Sequence, residues 1–126
     1  MSKESLAQVF ARAKSEKRAA LIGYMPAGFP TLDGSKELIR ALIAGGVDIV
    51  EVGFAYSDPV MDGAIIQEAA EVALRNKTGA KEVLEVVSSV SVPSLVMSYW
   101  NPIERYGVKE FTEALASAGG VGVITP

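Results

Sequence analysis

The stretch Val47–Asp62, VDIVEVGFAYSDPVMD, decides how this chain folds. Val47 to Gly53 is an apolar run of strand length, broken only by Asp48 and Glu51, and it reads as a buried strand. A loop from Phe54 to Gly63 follows, then a helix from about Ala64 to Arg75. Ile49, Glu51 and Gly53 share one face of the strand, and Val50 and Val52 the other. Either face is apolar apart from the glutamate. An acid in such surroundings is costly to bury unless it is paired or used.

Outward from this unit the pattern repeats. Ser2 to Ser15 has Leu6, Val9, Phe10 and Ala13 on one helical stripe. Ala19 to Met25 (AALIGYM) reads as a first strand. PAGFPTLDG, with two prolines and two glycines in nine residues, reads as a loop. Ser35 suits an N-cap for the helix carrying Leu38, Ile39, Leu42 and Ile43, which stops at Gly45-Gly46. A second helical stretch, Lys81 to Ser89, follows the break at Asn76 to Gly79. Ser94 to Tyr99 is a third strand, Trp100 to Gly107 a loop, Val108 to Ala118 a helix, and Val121 to Thr125 a fourth strand. Apolar strands alternating with helices imply right-handed crossovers and a parallel sheet. An open doubly wound sheet and half of a (β/α)8 barrel both satisfy this order. The barrel takes about 250 residues and eight strands. Ending on an uncovered fourth strand favours an interrupted barrel, a single incomplete domain over residues 1–126 with an extra N-terminal helix in 1–17.

Composition narrows the function classes. The chain has 126 residues, 49% apolar and 21% charged, and reads as one globular domain. Its net charge of −3 argues against nucleic acid or an anionic membrane as the main partner. It holds no cysteine and no histidine, so disulfides, thiolate sites and the commonest zinc ligand are absent and no metal is expected. No apolar run approaches the roughly 20 residues that span a bilayer. No signal-peptide core stands at the N-terminus, and a cytoplasmic setting is expected.

Without histidine or cysteine, proton chemistry falls to carboxylates, tyrosines or lysines. Ligands of either architecture bind at the carboxyl ends of the strands, where Glu51 and Asp62 stand. If Glu51 points into a barrel, desolvation should raise its pKa and suit it to pass a proton near neutrality. The alternative is a structural glutamate satisfied by backbone amides or a tyrosine. Asp62-Gly63 is first a turn signal, and Asp58 in SDP equally starts or caps a turn. The functional case is the pairing, one acid in apolar surroundings and one in a wetter loop. Tyr24, Tyr99 and Trp100 stand near strand ends and suit either an aromatic pocket or rim packing. Neither GxGxxG nor a Walker sequence is present.

PAGFPTLDGSKELIRALIAGGVDIVEVGFAYSDPVMDGAIIQEA resembles the N-terminal half of the tryptophan synthase alpha subunit, and SYWNPIERYGVKEF and GVITP resemble its third and fourth strands. The resemblance implies a (β/α)8 barrel with an extra N-terminal helix. It implies a lyase that cleaves indole-3-glycerol phosphate to indole and glyceraldehyde 3-phosphate. By that similarity Glu51 is the general acid-base and Asp62 accepts the indole N–H. Tyr24, Tyr99 and Ile124 match positions lining the indole pocket. Asp58 and Asn101 match positions that meet a beta subunit, which would hold the pyridoxal phosphate; no cofactor is implied on this chain. Ala55 and Ala64 stand where family members usually have proline. The family's phosphate-binding loops follow later strands than these four, so little activity is expected of the 126 residues alone. A reading of another class is a non-catalytic half-barrel module that self-associates or binds a partner chain.

Overall fold

The computed structural model describes residues 3–126. Its elements in chain order are α1 (Leu6–Ser15), β1 (Ile22–Pro26), α2 (Leu32–Ala44), β2 (Ile49–Gly53), α3 (Ala64–Arg75), α4 (Ala80–Ser89), β3 (Ser94–Met97), α5 (Trp100–Tyr106), α6 (Val108–Ser117) and β4 (Gly122–Ile124). The strands form one parallel sheet in the order β1-β2-β3-β4. Doubly wound sheets reverse their strand order at a switch point and carry helices on both faces. Here the order never reverses. This is the first half of a (β/α)8 barrel.

The outer face of the sheet carries the core. Val50, Val52 and Val96 are wholly buried there, in one cluster with Ile39 of α2, Val83, Val86 and Val87 of α4, and Phe111 and Leu115 of α6. Each fully buried valine contributes about 1.5 kcal/mol relative to exposure. The inner face is thinly covered: Ile22 is 46% exposed and Ile124 36%. The register aligns Tyr24, Glu51, Leu95 and Gly122 in one cross-strand row. Pro26, Gly53, Met97 and Ile124 form the next row toward the carboxyl ends.

Helix α1 is anchored at the opposite end of the sheet. Ser5 caps it in a reciprocal pair with Gln8. The expected start at Ser2 lies outside the described residues. Val9 and Ala13 are buried, whereas Phe10 of the expected stripe is exposed. The buried Asp48, just before β2, accepts two hydrogen bonds from Arg18 (2.7 and 3.0 Å), one from Arg12 (3.4 Å) and one from the Leu21 N–H (2.8 Å). Arg18 above all, then the Leu21 amide, holds the Asp48 carboxyl well below the usual carboxylate range. A depressed folded pKa means the stabilisation is complete above the unfolded value of about 4 and is lost as pH falls through the folded one. Asp48→Asn should therefore cost about 2 kcal/mol at pH 7, less than the ~3–5 of a fully buried pair because both guanidiniums remain over a third exposed. The gap between the urea midpoints of wild type and variant should hold from pH 7 to about pH 4, narrow only below that, and still be present at pH 3, because the folded pKa lies lower.

Three local expectations are corrected. Thr31, not Ser35, caps α2, its hydroxyl accepting the Gly34 N–H at 2.9 Å. Ser35 lies buried inside that helix, donating to the Leu32 carbonyl and accepting the Gly28 N–H. Trp100 to Tyr106 is the helix α5 and not a loop. Pro102 sits in its first turn, where the missing N–H has no partner to lose. Gly107, at φ 106°, then separates α5 from α6. The first strand starts at Ile22, three residues later than its apolar run, and Leu21 is exposed.

Candidate active site

Glu51 is the one residue of β2 that is not buried. The expectation of a desolvated, inward-buried acid is corrected to a partly buried one on the thinly covered inner face. Its backbone is held between β1 and β3. Tyr24, its partner in register, leans toward the carboxyl end, and its hydroxyl lies over Gly53. A Cβ at position 53 would collide with that hydroxyl, which accounts for the glycine.

The loop carrying Asp62 is built from turns. Val60 N–H donates to the Asp58 carbonyl (2.9 Å) and Asp62 N–H to the Pro59 carbonyl (3.1 Å), so the turn reading of Asp58 and Asp62 holds for the backbone. Gln67, on the first turns of α3, donates from Nε2 to the Asp62 carbonyl at 2.8 Å and to that of Pro59 at 3.4 Å. The Tyr99 hydroxyl accepts the Met61 N–H at 2.9 Å, and the Tyr99 ring packs on Tyr56 with centroids 5.4 Å apart. Asp62 itself is half-buried.

The electrostatics tie these groups together. Burial first, then the charges of Asp62 and Glu51 and the neighbouring Tyr99, push the Tyr24 hydroxyl far above its ordinary pKa. Tyr24 thus keeps its proton, with both carboxylates near enough to act on it. Glu51, Asp62, Tyr24 and Tyr99 are gathered at one end of the sheet. Ile124 lies in the row beyond, and Trp100 is turned out to solvent. Asp58, in the loop after β2, and Asn101, in the first turn of α5, are exposed.

Two cavities flank this cluster. One of about 460 Å³ lies between β1 and α3, bounded by Tyr24, Pro26, Phe29, Ile66, Val72 and Arg75. Another of about 500 Å³ lies between the loop after β2 and α5, bounded by Tyr56, Ser57, Thr78, Asn101 and Arg105. Neither contains Glu51 or Asp62. Among the described residues no group of three or more His, Cys, Asp or Glu is placed to hold a metal ion.

Residues 10–126 match the family model described as "Tryptophan synthase alpha chain". The chain belongs to that family. The tryptophan synthase alpha chain of Nocardia farcinica is 56% identical over 130 residues, covering 100% of this chain and 49% of the relative. That of Thermobifida fusca is 56% identical over 124 residues, covering 96% and 46%. A crystal structure of tryptophan synthase from M. tuberculosis superposes with a TM-score of 0.94 at 45% identity, covering 99% of this chain and 51% of that one. The alpha subunit from Legionella pneumophila does so at 0.90 and 31%, covering 94% and 47%. The chain spans about half the length of the alpha chains it matches.

Sequence reasoning passed over Gln67, Asn76 and Thr78. Gln67 stood inside the quoted DGAIIQ motif, but a polar residue on an exposed helical face carries no signal of its long-range bonds. Asn76 caps α3 and donates from Nδ2 to the Gly28 (3.0 Å) and Pro30 (2.7 Å) carbonyls. Of the two alanines singled out above, Ala55 is buried against Ala70 and Ala73. Ala64 opens α3 after Gly63, whose φ −71° and ψ 165° suit the residue before a proline. Ala64→Pro should therefore stabilise the fold by about 0.5 kcal/mol through the unfolded chain, read as a rise in urea midpoint.

Proposed function

We propose that this chain supplies the N-terminal half, and both acid-base carboxylates, of a lyase that cleaves indole-3-glycerol phosphate to indole and glyceraldehyde 3-phosphate. The observation that carries the proposal is Glu51 on a parallel strand, in register with Tyr24, with Asp62 fixed in the loop that follows the carboxyl end of that strand. In the cleavage, a proton is added at indole C3 and one leaves the hydroxyl borne by the glycerol carbon that is bonded to C3. The bond from C3 to that carbon breaks, its electron pair returns to the ring, and the former hydroxyl oxygen becomes the aldehyde carbonyl. Glu51, partly buried and fixed on a strand, is the group that handles both protons. The Asp62 carboxylate accepts the indole N–H, offsetting the positive charge that grows on the protonated ring. Protonated C3 makes the ring its own electron sink, so this scheme needs no cofactor on the chain.

Tyr24, Tyr99 and Ile124 would border the indole ring. Asp58 and Asn101, exposed beside the cluster, are proposed to meet a beta subunit, which would hold the pyridoxal phosphate. Within the single incomplete domain 1–126, α1 takes the role of the family's extra N-terminal helix. The setting we propose is cytoplasmic; among the described residues no helix is long and apolar enough to cross a membrane. Phosphate binding would fall to chain beyond these residues. The open inner face at Ile22 and Ile124 also favours a second reading, a half-barrel that self-associates. Indole release from a full-length polypeptide bearing Glu51→Gln tests the first, and sedimentation of the 126-residue chain tests the second.

A further inference from the structure

We propose that Tyr99 and Gln67 are positioning residues that hold the Asp62 carboxylate in its working place; this rests on the role given to Asp62 above. Two hydrogen bonds from different elements converge on one short segment. The Met61 N–H donates to the Tyr99 hydroxyl at 2.9 Å, from the junction of β3 and α5. Gln67 Nε2 donates to the Asp62 carbonyl at 2.8 Å, from α3, and more weakly to Pro59. The peptide unit joining Met61 to Asp62 is thus flanked by a bond on either side.

Little else holds this segment. Val60 is 72% exposed and Met61 68% exposed, so burial of their side chains does not define the loop. The turn bonds at Val60 and Asp62 set its local shape but do not tie it to the barrel. The Tyr99 and Gln67 bonds are what tie it there. Tyr99 is itself steadied by its packing on Tyr56. Placement within a fraction of an ångström separates a productive from an idle carboxylate, and a 1 Å error can cost about 100-fold.

Tyr99→Phe removes the hydroxyl and keeps the ring; Gln67→Ala removes the second tie from a residue outside the pocket. In a full-length polypeptide each should lower kcat for indole release about tenfold with KM within about twofold. Each should also speed hydrogen exchange at the Met61 amide. The deciding arm is a double-mutant cycle with Asp62→Asn. Added to Asp62→Asn, neither substitution should lower kcat further. Wild-type kcat in both single variants, or losses that multiply in full with that of Asp62→Asn, would overturn the proposal. Wild-type turnover in Asp62→Asn alone overturns the role of Asp62 itself, and the positioning proposal with it. Unchanged thermal melting of the single variants excludes global unfolding as the cause of a loss.

Discussion

Glu51→Gln in a full-length polypeptide should lower kcat for indole release between about 100-fold and about 10⁴-fold, the range of a lost general acid-base. The amide keeps the shape of the carboxylate but cannot exchange a proton at neutral pH. In the proposed cleavage Glu51 serves both proton movements, so no second group would cover for it. Its side chain is only partly buried on an otherwise buried strand, and the substitution leaves the packing of Val50 and Val52 untouched. Thermal stability should therefore stay within about 0.5 kcal/mol of wild type, as for other surface changes. KM should move little, because binding of the phosphate and the indole ring does not pass through this carboxylate. A variant that folds normally and turns over at the wild-type rate would remove Glu51 from the mechanism.

Gly28→Ala should be the most destabilising small substitution in the chain, at about 3 kcal/mol. Gly28 has φ +90°, where a Cβ costs about 1–2 kcal/mol. The same Cβ would collide with the side chain of the buried Thr78, and overpacking adds a further ~1–3 kcal/mol. The loop has no room to retreat. The Gly28 N–H is bonded to Ser35 Oγ at 3.1 Å, and its carbonyl accepts from Asn76 at 3.0 Å. The two costs can be separated by urea unfolding. Thr78→Gly, which also removes the Cβ that Thr78→Ala would leave in the way, should restore the steric part in the double variant and leave the dihedral part. Additive losses would show that the two residues do not meet.

These results concern different links between sequence and structure. The alternation of apolar strands with amphipathic helices was legible because period 2 and period 3.6 are local properties of the chain. The fully buried Val50 and Val52 could be read from β2 alone. So could the two acids at its carboxyl end, since a glutamate in an apolar strand and an Asp-Gly turn are recognisable without neighbours. The helix α5 was not legible, because Asn-Pro is a breaker signal everywhere except in a first helical turn. Ser35 misled for a related reason: a serine before an apolar stripe suits a cap, but its hydroxyl is taken by the Leu32 carbonyl and the Gly28 amide.

Sequence by itself determined the class of fold, written in short-range periodicity, and the family, through the resemblance of its long motifs; it also singled out Glu51 and Asp62 as the candidate pair. Tertiary structure decided what surrounds them. The strictly sequential strand order separated a half barrel from an open sheet. The register put Tyr24 beside Glu51 and over Gly53. Folding brought Gln67 and Tyr99 to the two sides of the Met61–Asp62 peptide, and Thr78 onto Gly28. These contacts join residues up to 50 positions apart. No periodicity in the chain encodes them; they exist only because the sheet and its helices, once packed, leave those side chains nowhere else to go.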